Sequence, residues 1–582
     1  MSQDQLGNIF GESITGFSRH SKVRLHPDAG GGSHSGRLYF FIFLAIFGLG
    51  ILSLRLFSLT LIEGSGFRRL SQENRIRETV NPAPRGIIYD RNGIALVRNI
   101  PVFLSPEGDV FYNRKESDGD FIIESSTREY IYGPLMAPVL GYVGEVGPEE
   151  LEKIPPLDAQ NTEVYKIKDT VGKMGIEKVY DSRLRGTDGK EMFEVDATGK
   201  YVRTLGRIDP RVGQNLDLTL DFNLQQTAWE MLKDKKGAVV VSEPETGAVL
   251  ALFSSPSFDP NNILKGNSLE EIFENDDRPL FNRAISGQYP PGSTFKIITA
   301  IAGLASGRIS PRETVEDTGV LTVGDYSYGN WYFGQYGKTE GAVDLVKAIK
   351  RSNDIYFYKA GEKIGIRILA EWGKKFGLGA KSGIDLEGEA EGLMPDSVWQ
   401  KKVKNEDWYL GNTYHTAIGQ GDILATPLQV NTWTGVVANG GRLCQPHLNS
   451  NQPENCRDLG IDSSHLEVVA KGMGQACSEG GTGWPLFNFS VENPNLKTDG
   501  INFLEAPPAS GSAVARVKIP VHCKTGTSEF GHPDDKTHAW ITAYAPSNKP
   551  QLAVTVLVEE GGEGSSVAGP IAREILRTWF ER

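Results

Sequence analysis

From Leu38 to Leu54 the chain reads LYFFIFLAIFGLGILSL, seventeen residues without a charge. As a helix, that run is just long enough to cross a hydrocarbon core of about 30 Å. Apolar character resumes after Arg55 and continues through Ile62, with Arg55 close enough to the end to snorkel toward water. A cleaved signal peptide is the competing reading, but the run is long for one and no small-x-small site follows before Glu63. A buried core helix is disfavoured by the polar tail ahead of it. The expectation is a single retained signal anchor over 37–62, with everything after it on one side of a membrane. Residues 1–36, with Gly30-Gly31-Gly32 and scattered polar residues, read as a flexible tail. Charge does not settle which side is which. Arg19, Lys22, Arg24 and Arg37 precede the run, while Arg68, Arg69, Arg75 and Arg77 follow it, a near tie.

At 582 residues the chain is too long for one core and implies two or three domains. Its formal net charge of −12 argues against a nucleic-acid partner, which needs clustered Lys and Arg, and against attachment to anionic lipid by charge. Cys444 and Cys456 flank a polar loop, and an oxidising compartment would permit a bridge between them; two unpaired thiols is the equally open alternative. Cys523 is expected to be a small buried apolar residue. There is no C-x-x-C pair and no His cluster with metal-ligand spacing, so neither metal nor cofactor is expected. His532 and His538 read as loop or packing residues.

The chemistry is carried by three short segments. Pro290, Pro291 and Gly292 stop one segment, and Phe295 to Leu304 (FKIITAIAGL) then reads as a short, almost wholly apolar helix. Ser293 falls at its start, where serine is a favoured cap and the unpaired N–H groups create positive potential. Lys296 follows one turn later on the same face. An amine among so few polar groups is desolvated, which lowers its pKa and lets a neutral form accept the serine proton. Alone, S-x-x-K is more simply a capped helix with a lysine reaching out. Downstream come Ser352-Asn353-Asp354, then Tyr356-Phe357-Tyr358, and finally Lys524-Thr525-Gly526-Thr527 in a strand-like context. This ordered set is the signature of penicillin-binding proteins and serine β-lactamases.

The chain resembles class B penicillin-binding proteins, bacterial cell-wall D,D-transpeptidases, from about Arg85 to its carboxyl end. Further segments fit that family: RGIIYDRNG (85–93), LGYVGEV (140–146), GKMGIEKVYDSRLRG (172–186), GAVVVSEPETGAVLAL (237–252), AIGQGDILATPLQ (417–429) and HAWITAYAP (538–546). Aspartate at the third position of the second motif, followed by aromatics, is similar to the elongation group (penicillin-binding protein 2). The division group (penicillin-binding protein 3) typically has asparagine there. Between Gly93 and Arg128 only a short polar stretch, including Pro106 to Asp120, replaces a subdomain that is usually much larger.

The resemblance implies an α+β architecture. A single transmembrane helix leads into an extended β-rich amino-terminal module over 63–213, a non-catalytic dimerisation or pedestal module with a shortened head. A penicillin-binding transpeptidase domain follows over 214–582, an antiparallel sheet flanked by helices as in serine β-lactamases. It places the tail inside the inner membrane and the catalytic domain in the periplasm. Ser293 would attack a D-Ala-D-Ala stem peptide and Lys296 would take its proton. Ser352 would relay that proton to the leaving amine, and Asp354 would hydrogen-bond Lys296 or the substrate amide. Lys524 would supply positive charge, and Gly526, lacking a side chain, would let substrate lie along the strand with Thr525 and Thr527. The N–H groups of Ser293 and Thr527 would form the oxyanion hole. β-Lactams would inhibit by acylation. A multi-span glycan polymerase of the shape, elongation, division and sporulation (SEDS) family is the implied partner. A division-type transpeptidase, an acyl-serine hydrolase and a β-lactam sensor are the alternatives.

Overall fold

The computed structural model describes residues 35–67, 75–104, 110–111, 123–152, 165–167, 169–196, 201–492, 505–506, 516–531 and 536–582. The expected cytoplasmic tail, most of the stretch from Pro106 to Asp120, and His532 lie outside these residues. The chain divides into two compact units, one comprising 1–77 with 194–202 and the other 78–193 with 203–582. In the first unit, α1 (Ser35–Phe57) runs into a π-helical turn over Ser58–Ile62. Gly36–Ile62 is one helix long and apolar enough to cross a membrane, with a mean hydropathy of 2.3. Its apolar side chains, Leu38 through Phe57, stand exposed, as a lipid-facing surface requires.

In the second unit, β1 (Ile88–Tyr89) pairs antiparallel with β2 (Ala95–Leu104), and β2 with β3 (Ile123–Tyr130). Two short helices, α2 (Gly175–Val179) and α3 (Asp181–Leu184), pack nearby. The chain then forms β4 (Leu216–Asp217), which pairs parallel with β1. Packing is therefore continuous across Gly213: Ile88, Leu96, Val97 and Ile176 share one buried cluster with Leu216, Leu218, Val240 and Leu428.

The larger part of this unit is built on one sheet. After α4 (Phe222–Leu232), capped by the Asp221 carboxylate accepting the N–H groups of Asn223 and Leu224, come β5 (Gly237–Ser242) and β6 (Val249–Ser255). Most helices follow: α5 (Lys296–Ala305), α6 (Asp354–Ile364), α7 (Pro427–Ala438) and α8 (Ser463–Ala476). The chain closes with β7 (His522–Glu529), β8 (Thr537–Ala545), β9 (Leu552–Val558) and α9 (Gly569–Phe580). The sheet order is β6-β5-β9-β8-β7, antiparallel throughout, with β7 at one edge.

Strand alternation decides which layer each side chain joins. On β9, Leu552, Val554, Val556 and Val558 face the layer formed by α4 and α9, while Ala553 and Leu557 face the cluster containing α5, α6 and α7. On α9 the buried residues Ile571, Ala572, Ile575, Leu576 and Phe580 recur at helical spacing and cover the outer face. The helix α5 is buried almost all round because helices and sheet enclose it on every side.

Candidate active site

The first motif differs locally from its expected form. Gly292–Phe295 is a 3₁₀ turn and the α-helix begins only at Lys296, so Ser293 lies in the turn and no side chain caps the helix. The cause lies in the neighbours: Gly292 adopts φ +53°, and the hydroxyl of Thr294, not of Ser293, donates back to Pro291 O at 2.8 Å. Ser293 Oγ is thereby left facing a cleft of about 1120 Å³ that Ser352, Thr525, Gly526 and Thr527 also line.

Lys296 is fully buried and donates three hydrogen bonds: to Ser352 O at 2.7 Å, Ser352 Oγ at 3.2 Å and Asp354 Oδ1 at 2.6 Å. Its Nζ also lies over the Phe357 ring, 5.4 Å from the centroid. The other Asp354 oxygen accepts the Trp331 N–H at 3.1 Å. Ser352 reaches Lys296 with both its carbonyl and its hydroxyl because it adopts a left-handed conformation, φ +54°, between the helix Leu345–Arg351 and α6. A non-glycine residue held there marks backbone strain of the kind that clusters at functional sites. Asn353 is structural: its Oδ1 caps α6 through the Tyr356 N–H, and its Nδ2 donates to Asp317 and Glu340.

The third motif is the edge strand β7. Lys524, also fully buried, donates to Ser352 Oγ at 2.9 Å and to Thr525 O at 2.9 Å. Burial pushes the Lys296 amine below the ordinary lysine range, with Asp354 opposing. Burial pushes Lys524 well below that range, and the charge of Lys296 lowers it further. The order of the two amines follows from the carboxylate, which reaches only Lys296. Lys296 donates three hydrogen bonds and Lys524 two.

Gly526 also has a reason within the fold to lack a side chain. A Cβ there would come within 3.1 Å of Thr294 Cγ2 and Trp540 Cβ and 3.2 Å of Pro291 O. The missing side chain lets β7 lie against the turn that carries Ser293. Thr527 is exposed on the cleft, and its carbonyl accepts from Gln420 Nε2 at 3.4 Å.

Cys444 and Cys456 are bridged, which removes the reading of two free thiols there. Cys523 is not a lone apolar residue: it is bridged to Cys477, just past the end of α8. The two lie 46 residues apart, joined by the docking of α8 beside β7. His538 is a packing residue, stacked on Phe530 with centroids 4.2 Å apart and accepting the Glu560 N–H at Nδ1. The sequence reading did not single out Trp331, Arg351 or Thr482, which also line the cleft. For Thr482 the available signal was its place in Gly480-Gly481-Thr482-Gly483, a turn-forming cluster.

Comparison with known proteins is consistent with this geometry. The model of the penicillin-binding protein transpeptidase domain matches residues 237–577, and that of the penicillin-binding protein dimerisation domain matches 109–218. The peptidoglycan D,D-transpeptidase MrdA of Acinetobacter baumannii is 31% identical over 94% of this chain and 88% of its own length. A solved complex between penicillin-binding protein 2 and MreC from Helicobacter pylori superposes with a TM-score of 0.69 at 29% identity, covering 86% of this chain and 98% of that one. A structure described as the coordination of polymerisation and crosslinking by a peptidoglycan synthase complex matches with a TM-score of 0.70 at 26% identity, over 94% and 98%.

Proposed function

This chain belongs to the penicillin-binding transpeptidases, as a peptidoglycan D,D-transpeptidase of the elongation type, and from that premise we propose how its residues divide the reaction. Ser293 is the nucleophile. Its Oγ attacks the carbonyl carbon of the penultimate D-alanine, the peptide C–N bond breaks, and the terminal D-alanine leaves as a free amine. The observation that carries this reading is the meeting of Lys296 and Lys524 on one hydroxyl, Ser352 Oγ, in the cleft that Ser293 faces. An anionic substrate arriving at β7 favours the protonated form of Lys524. A proton then passes from Lys296 through Ser352 to Lys524, which frees the Lys296 amine to accept the Ser293 proton. Ser352 hands a proton to the leaving amine. In the second half, an amine from a neighbouring stem peptide attacks the ester and Ser293 recovers its proton. The N–H groups of Ser293 and Thr527 hold the oxyanion, and Thr525 and Thr527 bind the substrate alongside Gly526.

Intact-mass measurement after exposure to a labelled penicillin should show one stable adduct, mapped to Ser293. A Ser293→Ala protein that still carried the label at full occupancy would remove the nucleophile assignment.

We further assign 214–582 to transpeptidation and 63–213 to a non-catalytic module. The apolar helix holds the chain to the inner membrane, with the tail cytoplasmic and the catalytic domain periplasmic. The relatives solved with MreC and as a peptidoglycan synthase complex support a partner in the membrane, which we take to be a SEDS-family glycan polymerase. A reporter active only after export, fused behind Arg582, should be active; a cytoplasmic signal there would overturn the orientation.

A further inference from the structure

We infer that Thr482 is an anion-binding residue of this cleft, aimed at the terminal carboxylate of the substrate by Thr525 and held in place by the Cys477–Cys523 bridge. The inference rests on the reading of Ser293 and β7 given above and adds a residue to it.

Thr525 is 8% exposed, and its hydroxyl donates to Thr482 Oγ1 at 2.7 Å. A hydroxyl offers one proton and two lone pairs. With a lone pair of Thr482 filled by Thr525, its own proton is free for a group in the cleft, which Thr482 lines together with Ser293 and Thr527. An acceptor carrying full negative charge gains most from such a donor. Lys524, with its amine pushed down by burial, is a poor anchor for an anion until one arrives, so an uncharged donor beside it has a distinct part in first capture.

The loop carrying Thr482 is tied at three points. Its start is covalently joined to Cys523, the residue before Lys524. Gly483 N–H donates to Ala476 O at 2.8 Å, and a Cβ on Gly483 would lie 2.5 Å from Cys523 Sγ, so the loop packs directly on the bridge. Gly480 O accepts from Arg351 Nη1 at 2.9 Å, which links the loop to the residue preceding Ser352. The bridge therefore fixes the position of a hydroxyl relative to the second and third motifs together.

The test compares acylation by benzylpenicillin with acylation by its methyl ester, which lacks the anion. Thr482→Val should slow the free acid about tenfold, the loss of one hydrogen bond to a charged group. The ester should be unchanged, and Thr482→Ser should restore the free-acid rate. Cys477→Ala/Cys523→Ala should narrow the acid-to-ester ratio in the same direction, whereas Cys444→Ala/Cys456→Ala, which removes the other bridge, should leave it alone. If the double variant does not fold, the two Thr482 variants decide. An acid-to-ester ratio unchanged in Thr482→Val, or a Thr482→Ser protein no better than Thr482→Val, would overturn the inference while leaving Ser293 as the labelled residue. Labelling that persists in Ser293→Ala would instead overturn the reading on which it rests.

Discussion

Replacing Lys296 by Met is expected to lower the acylation rate with penicillin by about 10²- to 10⁴-fold, the usual contribution of a positioned acid–base group. Methionine keeps most of the buried volume in α5, so the helix retains its packing among Phe295, Ile297 and Ile301. What disappears is the amine. Ser352 loses one of its two donors, Asp354 loses its ion pair, and the group proposed to accept the Ser293 proton is gone. The pH profile separates this from simple loss of stability. Burial lowers the pKa of both lysines, so the free base needed for acylation is present below the ordinary lysine range. The wild-type rate should therefore fall as pH drops and both amines become protonated, with the fall lying below the ordinary lysine range. That limb should be absent in Lys296→Met. A variant that folds and acylates at the wild-type rate with the same profile would exclude Lys296 as the base.

The parts of this site visible in the chain are those made by local sequence. An apolar run after Pro290-Pro291-Gly292 signals a helix start, and with the other two motifs it points to a desolvated lysine one turn on. Alternating residues around Lys524 likewise specify a strand, and β7 spans them. The remainder depends on contacts between distant segments. Which amine is lowered less is set by Asp354, whose carboxylate reaches Lys296 from α6. The partner of Cys523 lies on a different element and could not be paired by spacing. At Gly526 the nearest obstacles to a side chain belong to the chain itself, which only the fold reveals. Thr482 sits in a glycine-rich turn that reads as a connector until Thr525 is seen to donate to it. The same holds for Arg85, Glu177 and Asp181 of the amino-terminal motifs, which are buried together although they lie in segments far apart in the chain.

Glu177→Gln should destabilise the folded chain by about 3–5 kcal/mol, the cost of removing one partner from a buried ion network. Glu177 is wholly buried. One of its oxygens accepts from Arg128 Nε at 2.8 Å and the other from Arg85 Nε at 3.1 Å and Nη2 at 2.9 Å. Arg85 Nη1 in turn lies 2.8 Å from Asp181 Oδ1, which also accepts the Gly172 N–H at 2.8 Å. Two guanidiniums thus face two carboxylates, and the network joins 85–93 to 172–186, two of the segments that carry the family resemblance. Glutamine preserves the shape but leaves two buried guanidiniums facing the single carboxylate of Asp181. The position of these groups implies a scaffold: none of the four lines the cleft of Ser293. Protein that remains folded should therefore acylate with penicillin at the wild-type rate, while its unfolding midpoint in urea drops sharply. Replacing Arg85, Arg128, Glu177 and Asp181 together with apolar residues should cost much less than the sum of the single changes, because no charge is then stranded. An unfolding midpoint unmoved by Glu177→Gln, or acylation lost from protein that is still folded, would show that this network serves the reaction and not the frame that carries it.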